Sequence, residues 1–596
     1  MSIDPVTREV IRGWLDTAAE EMQAALIKTA HSMLIAEGRD ATAALFDRNG
    51  RTIAQAASIP VHLGVMVELG RRIAARFPAG EALPGDLYVT NDPYGGGTHL
   101  PDIAVASPVF HAGSLVGYAL TMAHHRDIGG FLPGSVSLRA RDLQAEGLRV
   151  PLIRLARAGT PCTAVHAIIE AASRTPRSLR GDIGAQVAGC RTGERRLAEL
   201  FARWPAATID ACVESLLAYS ERLTRQAIGA LPRGRVAFTD HLDDDGLDPL
   251  APATPITVSV EARGDEIEFD FTGSAPQVAA AINNVAGSTT AIVYYAVRTL
   301  VGDSVPNNDG CYRPVRVRLP PDSIVNASPP APVGSRGVAL KRIEDVVLGA
   351  LARLVPARMP AAHSGQYTIV SASGRDTDGG EPLVGHFGGP YAGGNGAQPA
   401  RDGFDCSDHG ATNGTMVTLE DAESRLPLLF HRLRLWTDSG GAGRLRGGLG
   451  YEAQVEWRGA PITATLRRER MRFVPQGLAG GGAAPPCRTS FAPRGEPPRD
   501  LPGKIDVAMS AGDVLHYWTT GGAGREDAST RDPQRVLDDV LDGRVSPERA
   551  RDSYRVVVTD GRIDHDATRL LRASARPAQG PARTAPDGGA DPRDDH

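Results

Sequence analysis

Apolar residues recur near a 3.6-residue period from the start of the chain: Val10, Ile11, Trp14, Leu15, Met22, Leu26, Ile27 and Ala30. That spacing predicts one long helix over 5–36, with Asp4 as cap and Pro5 in the first turn. A strand-like run at Ala43–Asp47, an Arg48-Asn49-Gly50 turn and Thr52–Gln55 predict a hairpin, and the Asn-Gly pair suggests a type I′ turn. Strands are expected over Asp86–Thr90, Ile103–Phe110 and Gly117–Ala123, then helices over Pro161–Ala171 and Arg195–Ile228.

From residue 234 the texture shortens to β-like segments at Val236–Thr239, Ile256–Val260 and Ile267–Phe271, with helices over 283–302 and Val338–Leu354. Beyond 365 glycine becomes frequent. Strands are expected at Pro427–Leu435, Glu452–Trp457 and Ile462–Leu466, and clusters such as Gly443–Gly450 read as turns between strands. One more amphipathic helix, followed by a strand at Tyr554–Val558, is expected within 533–558. The expected fold class is α+β, a large multi-lobed chain of mixed helices and glycine-rich β segments. Four regions are expected: an N-terminal α/β region over 1–230, a middle α+β region over 231–365, a glycine-rich β region over 366–573, and a disordered tail over 574–596.

Composition narrows the function classes. At 596 residues the chain exceeds one ordinary domain. The longest apolar stretches, such as Ile292–Ala296, fall far short of the roughly 20 residues that span a bilayer. No signal peptide is visible at the start, so a cytoplasmic protein without a membrane partner is expected. Sixty-five basic against seventy acidic residues give no support for nucleic-acid binding. Only three lysines (Lys28, Lys341, Lys504) accompany sixty-two arginines, which leaves lysine-based catalysis few candidates. The six cysteines show no CxxC spacing and read as reduced structural thiols. A P-loop and a GxSxG nucleophile elbow are both absent.

The densest chemical grouping lies between Asn91 and Glu146, where His99, His111, His124 and His125 fall within 27 residues. His99 and Asp102, three apart at the start of a strand, can turn toward one point. One of the adjacent pair His124 and His125, at the end of the next strand, can reach it too, and the other faces the opposite side. Imidazole nitrogen with carboxylate oxygen is the donor mix of divalent zinc, manganese or iron. The glycines at 95–97 are expected to let the backbone approach a ligand closely.

The sequence resembles the hydantoinase B / 5-oxoprolinase family, to which acetone and acetophenone carboxylase large subunits are related. The resemblance covers about 4 to 560. It rests on NDPYGGGTHLPDI (Asn91–Ile103), AHHRDIGG (Ala123–Gly130), PGS (Pro133–Ser135), AEGLRVP (Ala145–Pro151) and RTPRSLRGDIGAQ (Arg174–Gln186). Later segments agree as well: DFTGSAPQV (Asp270–Val278), PNNDGCYRP (Pro306–Pro314), NASPPAPV (Asn326–Val333), DSGGAGRLRGGLG (Asp438–Gly450) and AGDVLHYWTTGGAG (Ala511–Gly524).

The resemblance implies a B-type subunit of an ATP-dependent cyclic-amide hydrolase. Its partner, a hydantoinase A-type ATPase subunit using ATP and magnesium, would phosphorylate the amide oxygen, and this chain would open the activated lactam or hydantoin ring. By motif, His99, Asp102 and His124 would hold a divalent metal ion. Asp40 would orient a water, and His125 and Asp127 would stand behind the ligands or face the substrate. A ketone carboxylase subunit or a non-catalytic scaffold are the alternatives. The chain departs from the family pattern at 406–420 and at 467–471, where Arg467-Arg468-Glu469-Arg470-Met471 replaces an SDR-type segment.

Overall fold

The computed structural model describes residues 4–375, 382–387, 393–415 and 417–574, so the expected disordered tail lies, apart from Ser574, outside the described residues. Seven strands form one antiparallel sheet: β1 (Ala41–Asp47), β2 (Thr52–Gln55), β3 (Leu87–Thr90), β4 (Asp102–His111), β5 (Ser114–His124), β6 (Ile153–Arg157) and β7 (Thr160–Pro161). Their order is β2-β1-β5-β4-β3-β6-β7. Strand β1, second in that order, is buried at all seven positions, because helices cover both faces.

On one face, Ala43, Leu45 and Ala119 meet Ile11 and Leu15 of helix α1 (Pro5–Thr29) and Leu197 and Leu200 further along the chain. On the other, Ala44, Phe46 and Met122 join Val65 and Met66, and this core continues without a break across residue 230 to Ile256, Phe269, Ile292 and Val346.

The expected 5–36 helix stops at Thr29 and resumes as the single turn α2 (Met33–Ala36). A distant residue interrupts it: Asp182 Oδ1 accepts the backbone N–H of His31 at 2.7 Å and of Ser32 at 3.0 Å, a bond the helix interior would not leave open. The β1–β2 turn also differs from the type I′ expectation. Only Gly50 has positive φ (74°), and the Asp47 side chain accepts from the N–H of Asn49 and Arg51. That is a type I turn closed by a glycine bulge, selected by the aspartate before it.

Helices α3 (Pro60–Arg76) and α4 (Thr163–Ala172) follow. The single helix expected over 195–228 is two, α5 (Pro176–Arg203) and α6 (Ala206–Gly229), because Pro205 has no N–H to continue the ladder. The middle region holds helices α7 (Ala286–Val301) and α8 (Gly337–Leu354). It also holds strands β8 (Gly234–Leu242), β9 (Thr254–Arg263), β10 (Glu266–Asp270) and β11 (Val315–Arg318), in the order β11-β10-β9-β8.

The last region is a sandwich of two sheets. One runs in the order β13-β12-β16-β19, built from β12 (Val370–Arg375), β13 (Pro382–Phe387), β16 (Ile462–Arg467) and β19 (Lys504–Met509). The other runs β14-β15-β20-β17-β18, built from β14 (Leu428–Leu435), β15 (Tyr451–Trp457), β17 (Arg488–Ala492), β18 (Arg499–Asp500) and β20 (Val514–Trp518). Trp457, Leu466, Phe491, Leu515 and Tyr517 fill the space between them.

The glycine clusters are not turns. A Cβ on Gly447 would lie 1.9 Å from the Gly522 carbonyl oxygen, and one on Gly448 1.9 Å from that of Phe404. These segments are threads packed backbone against backbone, and Gly522 N–H donates to the Gly448 carbonyl at 2.9 Å. Near the end, the expected helix within 533–558 is divided into Pro533–Leu541 and Pro547–Asp552, with Gly543 at φ 70° between them. The strand there is short, Val558–Thr559. Among the described residues no helix is long and apolar enough to cross a membrane.

Candidate metal centre and its cavity

The β4–β5 hairpin builds the site by register. Asp102, the first residue of β4, pairs directly with His124, the last of β5, so their side chains share one face. His99 lies in the turn before β4, and the N–H of Asp102 donates to its carbonyl at 3.0 Å, folding its ring back over the strand end.

The three donor atoms converge. His124 Nδ1 is 2.9 Å from Asp102 Oδ1, His99 Nε2 is 3.1 Å from Asp102 Oδ1, and the two imidazole nitrogens are 3.1 Å apart. His99 Nδ1 donates to the Gly334 carbonyl at 3.0 Å, which leaves Nε2 with a lone pair. Burial pushes the His99 pKa down to about 4, so it stays neutral, while His124 is raised: burial opposes its charge, but the Asp102 hydrogen bond and the Asp40 and Asp102 charges outweigh it.

The second oxygen of Asp102 is fully occupied. Oδ2 accepts from Arg336 Nη2 at 2.7 Å and from the Thr98 hydroxyl, and lies 3.1 Å from His62 Nε2. Burial works against the Asp102 charge, yet His99, His62 and Arg336 hold its carboxyl well below the usual range. Asp102 is 1% exposed, so an anion there persists only because these partners surround it. Nitrogens of two imidazoles and an oxygen of one carboxylate, brought to one point, fit a divalent cation. Ligands at about 2.1 Å stand roughly 3.0 Å apart at right angles and roughly 3.4 Å apart in a tetrahedron, so these separations suit three adjacent corners of an octahedron.

Asp40 enters from the β1 side. Arg39 before it adopts φ 53°, a left-handed conformation that costs a non-glycine residue about 1–3 kcal/mol. The Asp40 carbonyl accepts the His124 N–H at 3.0 Å, which fixes both residues at one end of the sheet, and Asp40 Oδ1 is 4.0 Å from His62 Nε2. Asp40, His62, His99 and His124 line one wall of a cavity of about 90 Å³. The other walls come from the N-terminal end of α8 (Ser335, Arg336, Gly337, Lys341) and from the last region (Tyr367, His386, Asp408, Arg467). The site is therefore a junction of three parts of the chain.

Two expected residues do not reach it. Strand alternation turns His125 to the far side of β5, where it is fully buried and its Nε2 meets Gln186 Oε1 at 2.9 Å. Asp127 is a loop clamp: it accepts from the N–H of Gly129, Gly134 and Arg174 and from Arg174 Nη1 at 3.1 Å. Neither residue, expected to stand behind the ligands or to face the substrate, lines the cavity. His111 sits at the opposite end of β4, its ring 5.9 Å from Phe201. The glycines at 95–97 serve a turn rather than a ligand, since Gly95 and Gly97 N–H both donate to the Asp92 carbonyl.

His62, Arg336, Tyr367 and His386 were not singled out from the sequence, and Lys341 was named there only as one of three lysines. Only Arg336 had a nearby signal, in the small-residue run that follows Asn326–Val333.

An α+β chain with a two-histidine, one-carboxylate cluster at a strand end is the class this architecture defines. The chain belongs to the hydantoinase B/oxoprolinase family, whose model matches residues 4–527. It is 32% identical to the caprolactamase subunit beta of Pseudomonas jessenii, over 96% of this chain and 100% of that one. The crystal structure of the ATP-dependent caprolactamase from the same organism superposes with a TM-score of 0.88 at 31% identity, covering 96% and 100% of the two chains. A nucleotide-free acetone carboxylase structure shares the fold, with a TM-score of 0.86 at 20% identity over 96% of this chain and 82% of that one.

Proposed function

We propose that this chain is the B subunit of an ATP-dependent cyclic-amide hydrolase. A partner ATPase subunit of the A type phosphorylates the amide oxygen, and this chain opens the activated lactam or hydantoin ring. The observation that carries the reading is the convergence of His99 Nε2, Asp102 Oδ1 and His124 Nδ1 in the cavity that Asp40 also lines. Family membership and a relative named as a subunit of an ATP-dependent lactamase support the division of labour.

His99, Asp102 and His124 would hold a divalent ion, which when bound supplies Lewis acidity to the substrate oxygen. Asp40, partly open to the cavity, orients a water and takes its proton during attack on the carbon that phosphorylation has made electrophilic. The amino end of α8 points into the same space. Its Ser335 hydroxyl is buried without a hydrogen-bond partner, so it is free to donate to the oxyanion or to the phosphoryl group. Arg336 compensates Asp102 and keeps its outer oxygen from turning inward.

Reconstitution with an A-type partner tests this. ADP release coupled to ring opening in bicarbonate-free buffer, abolished by His124→Ala in a folded chain, is the expected result. A strict bicarbonate requirement would move the chain to the carboxylases. Unchanged turnover in His99→Ala and Asp102→Ala would make it a scaffold. Plasma mass spectrometry of the purified chain and of the same variants identifies the ion.

A further inference from the structure

Two arginines and one lysine line the cavity, and two of the three already face an acid. Arg336 donates to Asp102 at 2.7 Å, and Lys341 to Asp408. Arg467, the last residue of β16, has no carboxylate within 4 Å among the described residues. It is 3% exposed, its Nη2 donates to Ser371 Oγ at 2.6 Å, and its buried Nε has no hydrogen-bond partner. The acid that acts on it from further off, Asp506, is engaged by Arg139 at 3.0 Å and by the Thr465 hydroxyl at 2.7 Å.

Its other neighbours do not neutralise it. The Tyr367 ring centroid lies 4.8 Å from the guanidinium, and the Tyr367 hydroxyl makes no hydrogen bond among the described residues. His386 is kept uncharged, by burial first and by the Arg467 charge second. A guanidinium held out of water with unfilled donors is costly unless an anion arrives to meet it. Its planar fork matches a carboxylate, which one positive charge balances. A phosphoryl dianion asks for more, and the amino end of α8 beside the triad, with Ser335 and Arg336, offers it.

We propose that Arg467, with Tyr367 beside it, forms a carboxylate-recognition subsite, so that the cyclic amide this chain accepts carries a carboxylate away from the reacting carbon. This rests on the cyclic-amide reading above. Caprolactam carries no carboxylate, so the subsite separates this chain in substrate from the relative named for that ring. Arg467 opens the segment where the sequence leaves the family pattern, which fits a specificity role.

The test is calorimetric titration of the full chain, in phosphate-free buffer, with 5-oxoproline and with 2-pyrrolidinone, the same ring without the carboxylate. Wild type is expected to bind 5-oxoproline about tenfold or more tighter, the scale of a charge-assisted hydrogen-bond pair. Arg467→Met should erase that preference while retaining the wild-type melting temperature. Arg467→Lys, which keeps charge without the fork, should restore part of it, and Tyr367→Phe should weaken it a few-fold.

Equal binding of both rings by wild type, or an undiminished preference in Arg467→Met, overturns the subsite and leaves the cyclic-amide reading standing. If neither ring binds but inorganic phosphate binds in an Arg467-dependent way, the cyclic-amide reading falls and the residue is an anion site of another kind, which overturns the carboxylate assignment. No binding of any of the three to wild type also overturns it.

Discussion

Two clusters of buried charge, which meet in sequence where Arg467 of one stands two residues before Glu469 of the other, behave in opposite ways. In the first, Arg342 bridges Asp240 at 2.9 Å and Glu469 at 3.2 Å, Arg470 bridges Asp240 at 2.8 Å and Asp345 at 2.5 Å, and Lys504 meets Asp244 at 2.9 Å as well as Glu469. Asp243 beside them accepts the N–H groups of Met471, Arg472 and Phe473. Each charge touches its opposite, and the cluster ties the end of β8, helix α8 and the last region into one body.

In the second, the donor atoms of His99, Asp102 and His124 converge on one point and Arg467 Nε is left without a hydrogen-bond partner, all beside one cavity. Burial and charge count do not separate a staple from a site. Closure does: the first cluster pairs each charge with its opposite, and the second leaves polar atoms turned into a cavity.

The largest effect is expected from Asp102→Ala, which removes a proposed metal ligand and strands Arg336 and His62. Metal measured by plasma mass spectrometry should fall from near one per chain to almost none, and thermal stability should drop. Asp240→Ala should be the converse, losing about 3–5 kcal/mol in denaturant titration because Arg342 and Arg470 are left unmatched, with metal content kept. Loss of metal there would mean the two clusters are not separable. Smaller still is His62→Ala, which acts on the three donors through Asp102 and lines the cavity wall beside Asp40. Metal affinity by competition with a chelator should weaken about 10- to 100-fold, with the melting curve little changed.

The mildest test uses pH, with opposite signs for two carboxyls. Burial opposes the Asp240 charge, but Arg342 and Arg470 outweigh it and hold its carboxyl well below the ordinary value of 3.8. Its stabilising contribution is present above 3.8 and is lost as pH falls through the folded value. Glu344 lies one turn beyond Lys341 on α8, its Oε2 3.4 Å from His409 Nδ1, and burial pushes its carboxyl up to about 8. Its folded form binds a proton that the unfolded chain releases above 4.5, so stability declines from pH 4.5 to about 8. Glu344→Gln should flatten that alkaline-side decline, and Asp240→Asn the acid-side one, in melting temperatures measured across pH. A wild-type curve flat from pH 4.5 to 8 would contradict the Glu344 assignment.

Much of the candidate site was legible in the chain because its donors are close in sequence and sit at strand ends. His99 and Asp102 are three apart, and period-2 alternation says that only one of His124 and His125 joins them. The same alternation could have excluded His125 as a substrate-facing group had the strand been known to be covered on both faces. Asp127 was misleading for a different reason: an aspartate in a glycine-rich loop serves a ligand or the loop's own N–H groups equally well until the fold shows which are near.

Local pattern, set by side-chain spacing along one segment, determined the helices and strands, the hairpin that presents the triad, and the family. Wherever a partner from elsewhere in the chain competes, the outcome belonged to tertiary structure. Asp182 stops the first helix, and His62 and Arg336 saturate one oxygen of Asp102 and free the other. Backbone threads 75 residues apart at Gly447 and Gly522 explain glycines that read as turns. The lack of a carboxylate beside Arg467 among the described residues is of the same kind, since a missing partner exists only in three dimensions. Periodicity is a property of neighbours in the chain, and convergence is a property of neighbours in space.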